Sequence, residues 1–424
     1  MKLAVICPHF APDVAPTGEV MTRLVLELAD RGHEIHVVTA LPWYVHHRVE
    51  PEWRGRVVRR EATQWGSITR VNPFPTDKRS IPQRAAAFAA FSALAGLAGL
   101  RGGRVDGVLA MSPPLTLGLT GWGMGVARLA PLVFNVQDVF PDAAVDVGAI
   151  TNARLISIAR WLERVTYHRA SAVTVLSEDL RDNLAAKVAP EQRDKIRVIP
   201  NFVDTVAITP RDPATAYRSE LGIDANQTVV LYAGNVGFSQ SLELLVGAAN
   251  GVRDDESVVF LINGGGSALE SIKAQVADAQ LTNVRFAPYQ PRERLAEVLA
   301  TGDIHLVPLK AGLARSSVPS KSYSILAAGR PLLASIDPGT EVTRIVEQAD
   351  CGVAVPPDDQ AAFTAALRRL IADPVERRAM GERGRKWVEG WASPSAVAAA
   401  YDALFVELGE RRRSRRSANR SATR

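Results

Sequence analysis

Short apolar runs alternate with helix-length segments in both halves of this chain, and this alternation is the feature that most constrains its fold. The first half begins with a βαβ unit whose helix, at 18–31, has apolar residues at positions 21, 24, 25 and 28. Its predicted strands lie at 3–7, 34–39, 107–110, 132–135, 172–176 and 196–200, with further helices at 154–169 and 178–187. The second half repeats the pattern, with strand-length runs at 228–233, 258–263, 284–287, 304–308, 331–335 and 352–355. The alternation predicts an α/β protein built from two doubly wound domains.

The length of the chain also indicates two domains, because 424 residues exceed the usual size of one hydrophobic core. The stretch 201–204, followed by Pro210 and Pro213, is predicted to be a linker. We expect a first domain at 1–203 and a second domain at 204–385. Helical runs at 386–410 and a basic, disordered tail at 411–424 complete the predicted organisation.

Composition excludes several classes of protein. Two cysteines, Cys7 and Cys351, are too few for a disulfide framework and favour a reducing, cytoplasmic compartment. The five-residue apolar run near the start is shorter than the core of a secretory signal, so it is interpreted as a first strand. The apolar segment 85–100 is shorter than the roughly 20 residues that a spanning helix needs. A buried or interfacial helix is predicted there instead.

Positive charge is concentrated near the end of the chain. The net charge is +5, and the arginines at 411–413, 415, 416, 420 and 424 exceed that whole-chain excess. Such a segment is usually a solvated end, although anionic lipid headgroups are an alternative partner. No zinc-ligand spacing, helix-turn-helix or aromatic stacking motif accompanies the charge, so nucleic acid is not an expected partner.

The loops that follow strands are the candidate sites, because ligands of doubly wound sheets bind outside the carboxyl ends of the strands. In the first domain, Gly18 either lets backbone approach a ligand or only allows a tight turn. The loop after the strand at 132–135 carries Gln137, Asp138 and Asp142. Asp142 could simply cap a helix, whereas Asp138 is a candidate base or hydroxyl acceptor.

Glycines and one cation occupy the corresponding loops of the second domain. Gly234 and Gly237 follow its first strand, the segment 263–267 (NGGGS) follows the next, and Ser320 and Lys321 precede a short helix at 323–328. Glycines let backbone amides turn toward an anion, and a lysine at a helix N-terminus adds positive charge. Neither the P-loop nor the G-x-G-x-x-G motif is present. The loops together favour a diphosphate or nucleotide site.

Seven segments, taken in their order and spacing, resemble those of the family 4 glycosyltransferases, which are retaining enzymes of the GT-B architecture. They are GHEIHVVT at 32–39, AVTVLS at 172–177, VIPNFVD at 198–204, YAGN at 232–235, NVRF at 283–286, VPSKSYSILAAGRPLLAS at 318–335 and CGVAVPPDD at 351–359. The resemblance covers nearly the whole chain. Within the family, the chain is most similar to the subgroup that transfers amino sugars in making bacterial colanic-acid and O-antigen polysaccharides.

The resemblance implies two Rossmann-like domains that face each other across a cleft, with C-terminal helices crossing back to the first domain. The second domain would bind a nucleotide sugar, usually a UDP-sugar, and the first domain a saccharide or polyprenyl-linked saccharide acceptor. Transfer of a hexose or N-acetylhexosamine would occur with retention and would require no metal or other cofactor. The segment 74–104, which mixes cations with Phe and Leu, either receives a lipid-linked acceptor at the inner membrane face or packs on the first sheet.

The chain departs from the family pattern at several donor-binding positions. Asn235 and Gln240 stand where many relatives carry cations, and Ser316 and Ser324 stand where many carry glutamates. Gln137 and Asp138 stand where the family has a histidine in the first domain.

The resemblance then assigns the donor-binding roles as follows. Arg315, Ser320 and Lys321 would bind the diphosphate, and Glu341 would bind the ribose unless it is only a helix N-terminal charge. Tyr289 would stack on the base or pack within the protein, and the remaining donor-binding candidates are Gly18, Asn235, Gly237, Gln240 and Gly265. Asp138 is the candidate catalytic residue.

Two other functions remain open at this point. A UDP-sugar 2-epimerase shares the architecture but would be expected to hold catalytic carboxylates and a histidine in the cleft. It is disfavoured, because no histidine falls in a strand-end loop of the second domain and His305 is predicted to lie within a strand. A non-catalytic sugar-nucleotide-binding subunit would explain the missing cations and glutamates.

Overall fold

A computed structural model describes residues 1–75, 81–142, 145, 150–313 and 321–422 of the chain. The chain forms two compact units. Unit 1 comprises Met1–Asn201 and Pro394–Arg424, and unit 2 comprises Phe202–Ser393.

Unit 1 contains an eight-stranded sheet in the order β3-β4-β2-β1-β5-β6-β7-β8. All neighbouring strands are parallel except β3 and β4, which pair antiparallel. The central strands are almost wholly buried because helices cover a parallel sheet on both faces. The strands are β1 Lys2–Ile6, β2 Glu34–Ala40, β3 Val58–Thr63, β4 Gly66–Val71, β5 Gly107–Ser112, β6 Leu132–Val136, β7 Ala172–Val175 and β8 Ile196–Val198.

Unit 2 contains a six-stranded parallel sheet in the order β11-β10-β9-β12-β13-β14. Every residue of β10 is buried, as expected for a central parallel strand made of the sequence VVFLIN. The strands are β9 Thr228–Ala233, β10 Val258–Asn263, β11 Val284–Ala287, β12 Ile304–Pro308, β13 Leu332–Ser335 and β14 Gly352–Val355. The prediction of an α/β chain with two doubly wound domains is confirmed.

The helices lie between the strands. Those of unit 1 are α1 Pro16–Asp30, α2 Ile81–Gly99, α3 Thr116–Arg128, α4 Ala153–Arg169, α5 Glu178–Ala185 and the C-terminal α14 Pro394–Ala422. Those of unit 2 are α6 Ala216–Glu220, α7 Glu243–Gly251, α8 Leu269–Asp278, α9 Leu295–Thr301, α10 Lys321–Ala327, α11 Glu341–Ala349, α12 Gln360–Ala372 and α13 Pro374–Trp391. Short 3₁₀ helices occur at Pro51–Trp53, Pro190–Lys195 and Arg292–Arg294. Within the described residues, no helix combines the length and apolar character needed to cross a bilayer.

The C-terminal helix α14 completes the core of unit 1. The ring of Phe405 packs on Gly107 of β5, where a Cβ atom would lie 2.5 Å from the Phe405 ring. The Tyr401 hydroxyl lies 2.9 Å from Asn135 Nδ2 and 3.1 Å from Thr174 Oγ1. The segment that returns to unit 1 begins at Pro394, later than the predicted 386, because α13 belongs to unit 2.

The basic segment is helical through Ala422, where the sequence predicted a disordered tail. It contains arginine, serine, alanine and asparagine but no proline or glycine, so nothing in it ends the helix that starts at Pro394. An ion pair one helical turn apart, Arg411 to Glu407 at 2.7 Å, supports its first turn.

Candidate functional site

The loops that follow β9, β10 and β11 are bonded to one another at the carboxyl edge of the unit 2 sheet. Gly234 N–H donates to the Asn263 carbonyl at 2.9 Å, and Gly264 N–H donates to the Ala287 carbonyl at 2.8 Å. These bonds continue the parallel ladder beyond the strands. The loops therefore form one backbone surface at the edge where ligands of such sheets bind.

Two glycines permit this close packing of loops. A Cβ atom at Gly264 would lie 2.0 Å from the Gly234 carbonyl oxygen, and one at Gly266 would lie 2.4 Å from the Val236 carbonyl oxygen. Both glycines have a φ of 153°. Gly265, between them, is instead in ordinary contact with Tyr289, whose hydroxyl donates to the Gly265 carbonyl at 3.2 Å. The close packing of backbone against backbone therefore explains why glycine occupies positions 264 and 266.

The loop after β9 uses its polar side chains internally. Gly237 N–H donates to Gln240 Oε1 at 3.0 Å, which closes a short turn. The Asn235 carbonyl accepts a hydrogen bond of 2.5 Å from the Tyr232 hydroxyl, while the Asn235 side chain is exposed. Gln240 therefore shapes the loop in this structure.

Lys321 is a largely buried cation at the first position of α10. Its Nζ lies 3.0 Å from the Tyr232 hydroxyl and 4.2 Å from the centre of the Tyr232 ring. Burial lowers the pKa of Lys321 to about 8, and burial likewise raises the pKa of Tyr232. Among the described residues no carboxylate pairs with this ammonium group. A desolvated cation without an anionic partner is costly to the folded protein unless a ligand supplies the negative charge.

A cavity of about 200 Å³ brings Lys321 together with other predicted residues. Its walls include Gly234, Tyr289 and Ser324, the last of which stands where relatives carry a glutamate. It is also lined by Asn263, Arg292 and His305. His305 lies within β12, as predicted, and burial lowers its pKa to about 3, so it is neutral there. The cavity thus combines Lys321, which pairs with no carboxylate in the described part of the chain, with Arg292, glycine backbone and an aromatic ring.

Glu341 is buried at the first position of α11 and pairs with Arg344, whose Nη2 lies 3.2 Å from Oε2. Together with burial, which is the larger effect, its charge raises the pKa of Tyr323 in α10. Glu341 is not one of the residues that line the cavity. Arg315, Ser316 and Ser320 lie outside the described residues, so their predicted roles stay predictions.

In unit 1, Asp138 follows β6 with an exposed side chain, and desolvation by the surrounding protein raises the pKa of its carboxyl. The residues beside it form a buried polar chain. Gln137 Nε2 donates to Asn135 Oδ1 at 2.7 Å, and Asn201 Nδ2 donates to Gln137 Oε1 at 2.7 Å. Since Tyr401 bonds to the same Asn135, this chain anchors the base of the loop that presents Asp138.

Two other predicted residues of unit 1 have structural partners. Asp142 pairs with Lys187, with Oδ2 2.6 Å from Nζ. Gly18 lies in α1 directly against His9, because a Cβ atom there would meet the His9 Cβ at 2.9 Å. Its absence of a side chain is therefore explained by packing.

Sequence reasoning missed two sets of residues. Tyr232 looks like an ordinary core residue of β9, and nothing in the sequence links it to Lys321. His9 and Asp13, four residues apart in the proline-rich loop that ends at Gly18, form a pair with His9 Nδ1 2.7 Å from Asp13 Oδ2. The sequence signal for this pair is a histidine and an aspartate four residues apart, directly after the first strand. No group of metal-ligating side chains that could hold an ion occurs among the described residues.

Comparison with known families accounts for both units. Residues 17–201 match the family described as glycosyl transferase 4-like domain, and residues 214–387 match glycosyl transferases group 1.

The chain belongs to glycosyltransferase family 4.

Individual relatives of this glycosyltransferase agree with that assignment. It is 28% identical over 387 residues to WcaI of Escherichia coli K12, which is named a colanic acid biosynthesis glycosyl transferase, with 88% of this chain and 93% of WcaI covered. Among solved structures, sucrose-phosphate synthase from Thermosynechococcus elongatus has a TM-score of 0.66 at 20% identity, covering 96% of this chain and 99% of that one.

Anabaena HepE, solved in complex with UDP, has a TM-score of 0.64 at 13% identity, covering 96% of this chain and all of that one. These likenesses show that the glycosyltransferase has the GT-B fold.

Proposed function

We propose that this glycosyltransferase transfers a hexose or N-acetylhexosamine from a UDP-sugar to a saccharide or polyprenyl-linked saccharide, with retention, in surface polysaccharide biosynthesis. The observation that carries the donor assignment is Lys321, a largely buried cation without a carboxylate partner among the described residues, which lines a cavity at the strand ends of unit 2. The UDP complex of HepE and the name of WcaI support the donor and the pathway class.

In this proposal, unit 2 stabilises the leaving group. The anomeric bond breaks as negative charge develops on the departing diphosphate, so a preformed cation and backbone N–H groups lower the barrier. Lys321 supplies the cation, and the glycine loops that include Gly234 supply backbone close to it. Tyr289 would stack on the base. Positive side chains can do this work without a metal ion.

Unit 1 would bind the acceptor, with Asp138 accepting a hydrogen bond from the attacking hydroxyl. A raised pKa makes the Asp138 carboxyl a better proton acceptor than an ordinary aspartate. Its place after β6, on a loop anchored by Gln137, is typical of a functional side chain in a doubly wound sheet.

Nucleotide release tests the proposal. Candidate UDP-sugars are incubated with and without saccharide acceptors, and UDP is measured in the wild type and in Lys321→Ala. We expect acceptor-dependent UDP release by the wild type and its loss in the variant. The anomeric configuration of the product, determined by NMR, reports retention. Tight UDP binding without turnover for any sugar would instead indicate a non-catalytic binding subunit.

We also propose a cytoplasmic location with peripheral contact to the inner membrane face, because a polyprenyl-linked acceptor is held there. Arg411 to Arg413 place positive charge on α14, which would attract anionic headgroups. Sedimentation with phosphatidylglycerol vesicles, compared with neutral vesicles, measures the contact. Equal partition into both would contradict it.

A further inference from the structure

Two loops of unit 1, those after β1 and β2, meet around the imidazole of His9. His9 Nδ1 lies 2.7 Å from Asp13 Oδ2, and Asp13 Oδ1 accepts a hydrogen bond of 3.0 Å from Tyr44 N–H. The Asp13 side chain is 3% exposed, so a buried carboxylate links the two loops through these contacts. Facing a carboxylate, Nδ1 carries the ring proton. Nε2 makes no hydrogen bond to the described residues and is left to accept one from a ligand.

Aromatic rings surround this imidazole. Trp43 is stacked on it, with ring centres 5.6 Å apart and planes 23° apart, and Tyr44 meets it edge-on at 5.3 Å. His47 adds edge contacts to both of these aromatic residues. The indole N–H of Trp43 is buried without a hydrogen-bond partner among the described residues, which is a second polar atom left unsatisfied.

The core of unit 1 explains only part of this cluster. Trp43 packs on the core through part of its surface, but the Tyr44 side chain is 39% exposed. His47 has a φ of 52°, a left-handed conformation that is strained for a non-glycine residue. Exposed aromatic surface, a strained residue and unsatisfied polar atoms at the carboxyl ends of strands together indicate a ligand site.

We propose that His9, Trp43 and Tyr44 form a subsite that binds a pyranose ring of the acceptor saccharide. The apolar C–H face of a sugar fits against aromatic rings, and its hydroxyls are the donors and acceptors that Nε2 of His9 and the indole N–H require. The role given to His9 is hydrogen bonding, and no bond-breaking step is assigned to it. The assignment of this sugar as an acceptor rests on the proposed function.

Saturation-transfer difference NMR on the full chain tests the subsite. Aromatic protein protons are irradiated in the presence of millimolar methyl glycosides of glucose, galactose, N-acetylglucosamine, mannose and fucose. We expect saturation of the ring protons of at least one glycoside and loss of most of that signal in Trp43→Ala and Tyr44→Ala. Tyr44→Ala keeps the backbone N–H that bonds to Asp13, so it tests the site even where Trp43→Ala destabilises the core. Trp161→Ala, at a tryptophan 55% exposed on α4, is the matched control and should leave the signal unchanged.

The outcomes separate this inference from the proposed function. No saturation of any glycoside by the wild type, or full saturation in folded Tyr44→Ala, would overturn the subsite. UDP affinity is measured by calorimetry on the same samples. Loss of UDP binding in Trp43→Ala or Tyr44→Ala would assign the rings to the donor base and also overturn the subsite. If the wild type binds a glycoside through these rings but binds no UDP, the donor proposal fails while the saccharide subsite stands.

Discussion

At the scale of single residues, Lys321 is the most informative position in unit 2. Its only hydrogen-bond partner in the described part of the chain is the Tyr232 hydroxyl, and that hydroxyl is itself held by the Asn235 carbonyl. A tyrosine ring and hydroxyl orient the ammonium group without neutralising it. Because Asn235 and Gln240 are uncharged, we expect Lys321, with Arg292 on the same cavity wall, to supply the positive charge for a diphosphate.

Replacement of Lys321 by alanine is expected to weaken UDP binding by roughly 10- to 150-fold, which corresponds to the loss of one charge-assisted hydrogen bond of about 1.5–3 kcal/mol. Isothermal titration calorimetry measures the UDP affinity of the variant and of the wild type. Lys273→Ala, which removes an exposed lysine paired with Glu270, is the matched control and should bind UDP normally. Unchanged UDP affinity in Lys321→Ala would remove the residue from the site.

UDP binding is also expected to depend on pH through Lys321. Its pKa is about 8 in the free protein because burial disfavours the charged form. A bound diphosphate favours the charged form, so the pKa rises in the complex and binding takes up a proton between the two values. Affinity should therefore fall as pH rises above about 8. His305, which lines the cavity, is neutral, and burial raises the pKa of Tyr232, whose hydroxyl contacts Lys321 Nζ, so both groups keep their protonation across this range.

Calorimetry in buffers of different ionisation enthalpy measures this proton uptake directly. Lys321→Met, which keeps the length of the side chain but cannot ionise, should show none. Equal uptake by the variant and the wild type would mean that another group titrates.

Replacement of Asp138 by asparagine should reduce transfer by roughly 100-fold or more, while UDP affinity stays near that of the wild type. The reason is that the neutral amide cannot accept the hydroxyl proton, whereas the proposed donor site lies in unit 2. Steady-state kinetics and calorimetry together make the comparison. Asp106→Asn, at the opposite end of the sheet where Asp106 bonds to Lys2 N–H, is the control. Full activity in Asp138→Asn would end its proposed role.

At the scale of elements, the strand-end loops of unit 2 depend on glycine for contact with one another. A side chain at Gly264 would collide with the Gly234 carbonyl, whereas a methyl group at its neighbour Gly265 would only touch Tyr289 at 3.5 Å. Adjacent glycines in one run thus have different structural requirements.

Gly264→Ala is expected to destabilise unit 2 by about 1–3 kcal/mol, the usual cost of overpacking, and to displace the loop that carries Gly234. Gly265→Ala should change stability by much less. Urea unfolding followed by circular dichroism compares the two variants. Equal destabilisation by both would contradict the packing explanation.

At the scale of the whole molecule, unit 1 is discontinuous in sequence, since α14 joins a core built from the first 201 residues. Ending the chain after Ser393 would remove Phe405 from Gly107 and the Tyr401 hydroxyl from Asn135. We expect the first unit to lose its cooperative unfolding transition in this truncation, as measured by differential scanning calorimetry. A chain ending after Arg413 keeps both contacts and should retain that transition. Normal unfolding of the shorter chain would show that α14 is dispensable.

Much of this architecture could be predicted from the sequence, because buried parallel strands are continuous apolar runs. The β3–β4 hairpin was missed because β3 has the polar edge sequence VRREAT. The helix α3 was also missed, since its sequence TLGLTGWGMGVAR contains four glycines. At three of these four glycines, Gly118, Gly121 and Gly125, neighbouring atoms are too close to leave room for a Cβ atom. Glycine there reflects tight packing, which local propensity does not report.

The site was less predictable than the fold. Lys321 stands out in sequence because a cation precedes a short helix, but the side chain that holds it is 89 positions away in β9. Likewise His9 acquires its rings from the loop after β2. Contacts of this kind depend on which strand ends become neighbours, and a single sequence does not contain that information at the level of side chains.

The placement of α14 also has a consequence for biosynthesis. A nascent chain leaves the ribosome from its first residue onward, so residues 1–201 are exposed long before Pro394 is made. Unit 2, which is continuous from Phe202 to Ser393, can finish folding while unit 1 still lacks its last helix. The order of completion is therefore the reverse of the order of synthesis, and the unit 1 sheet stays incompletely covered until α14 has been made.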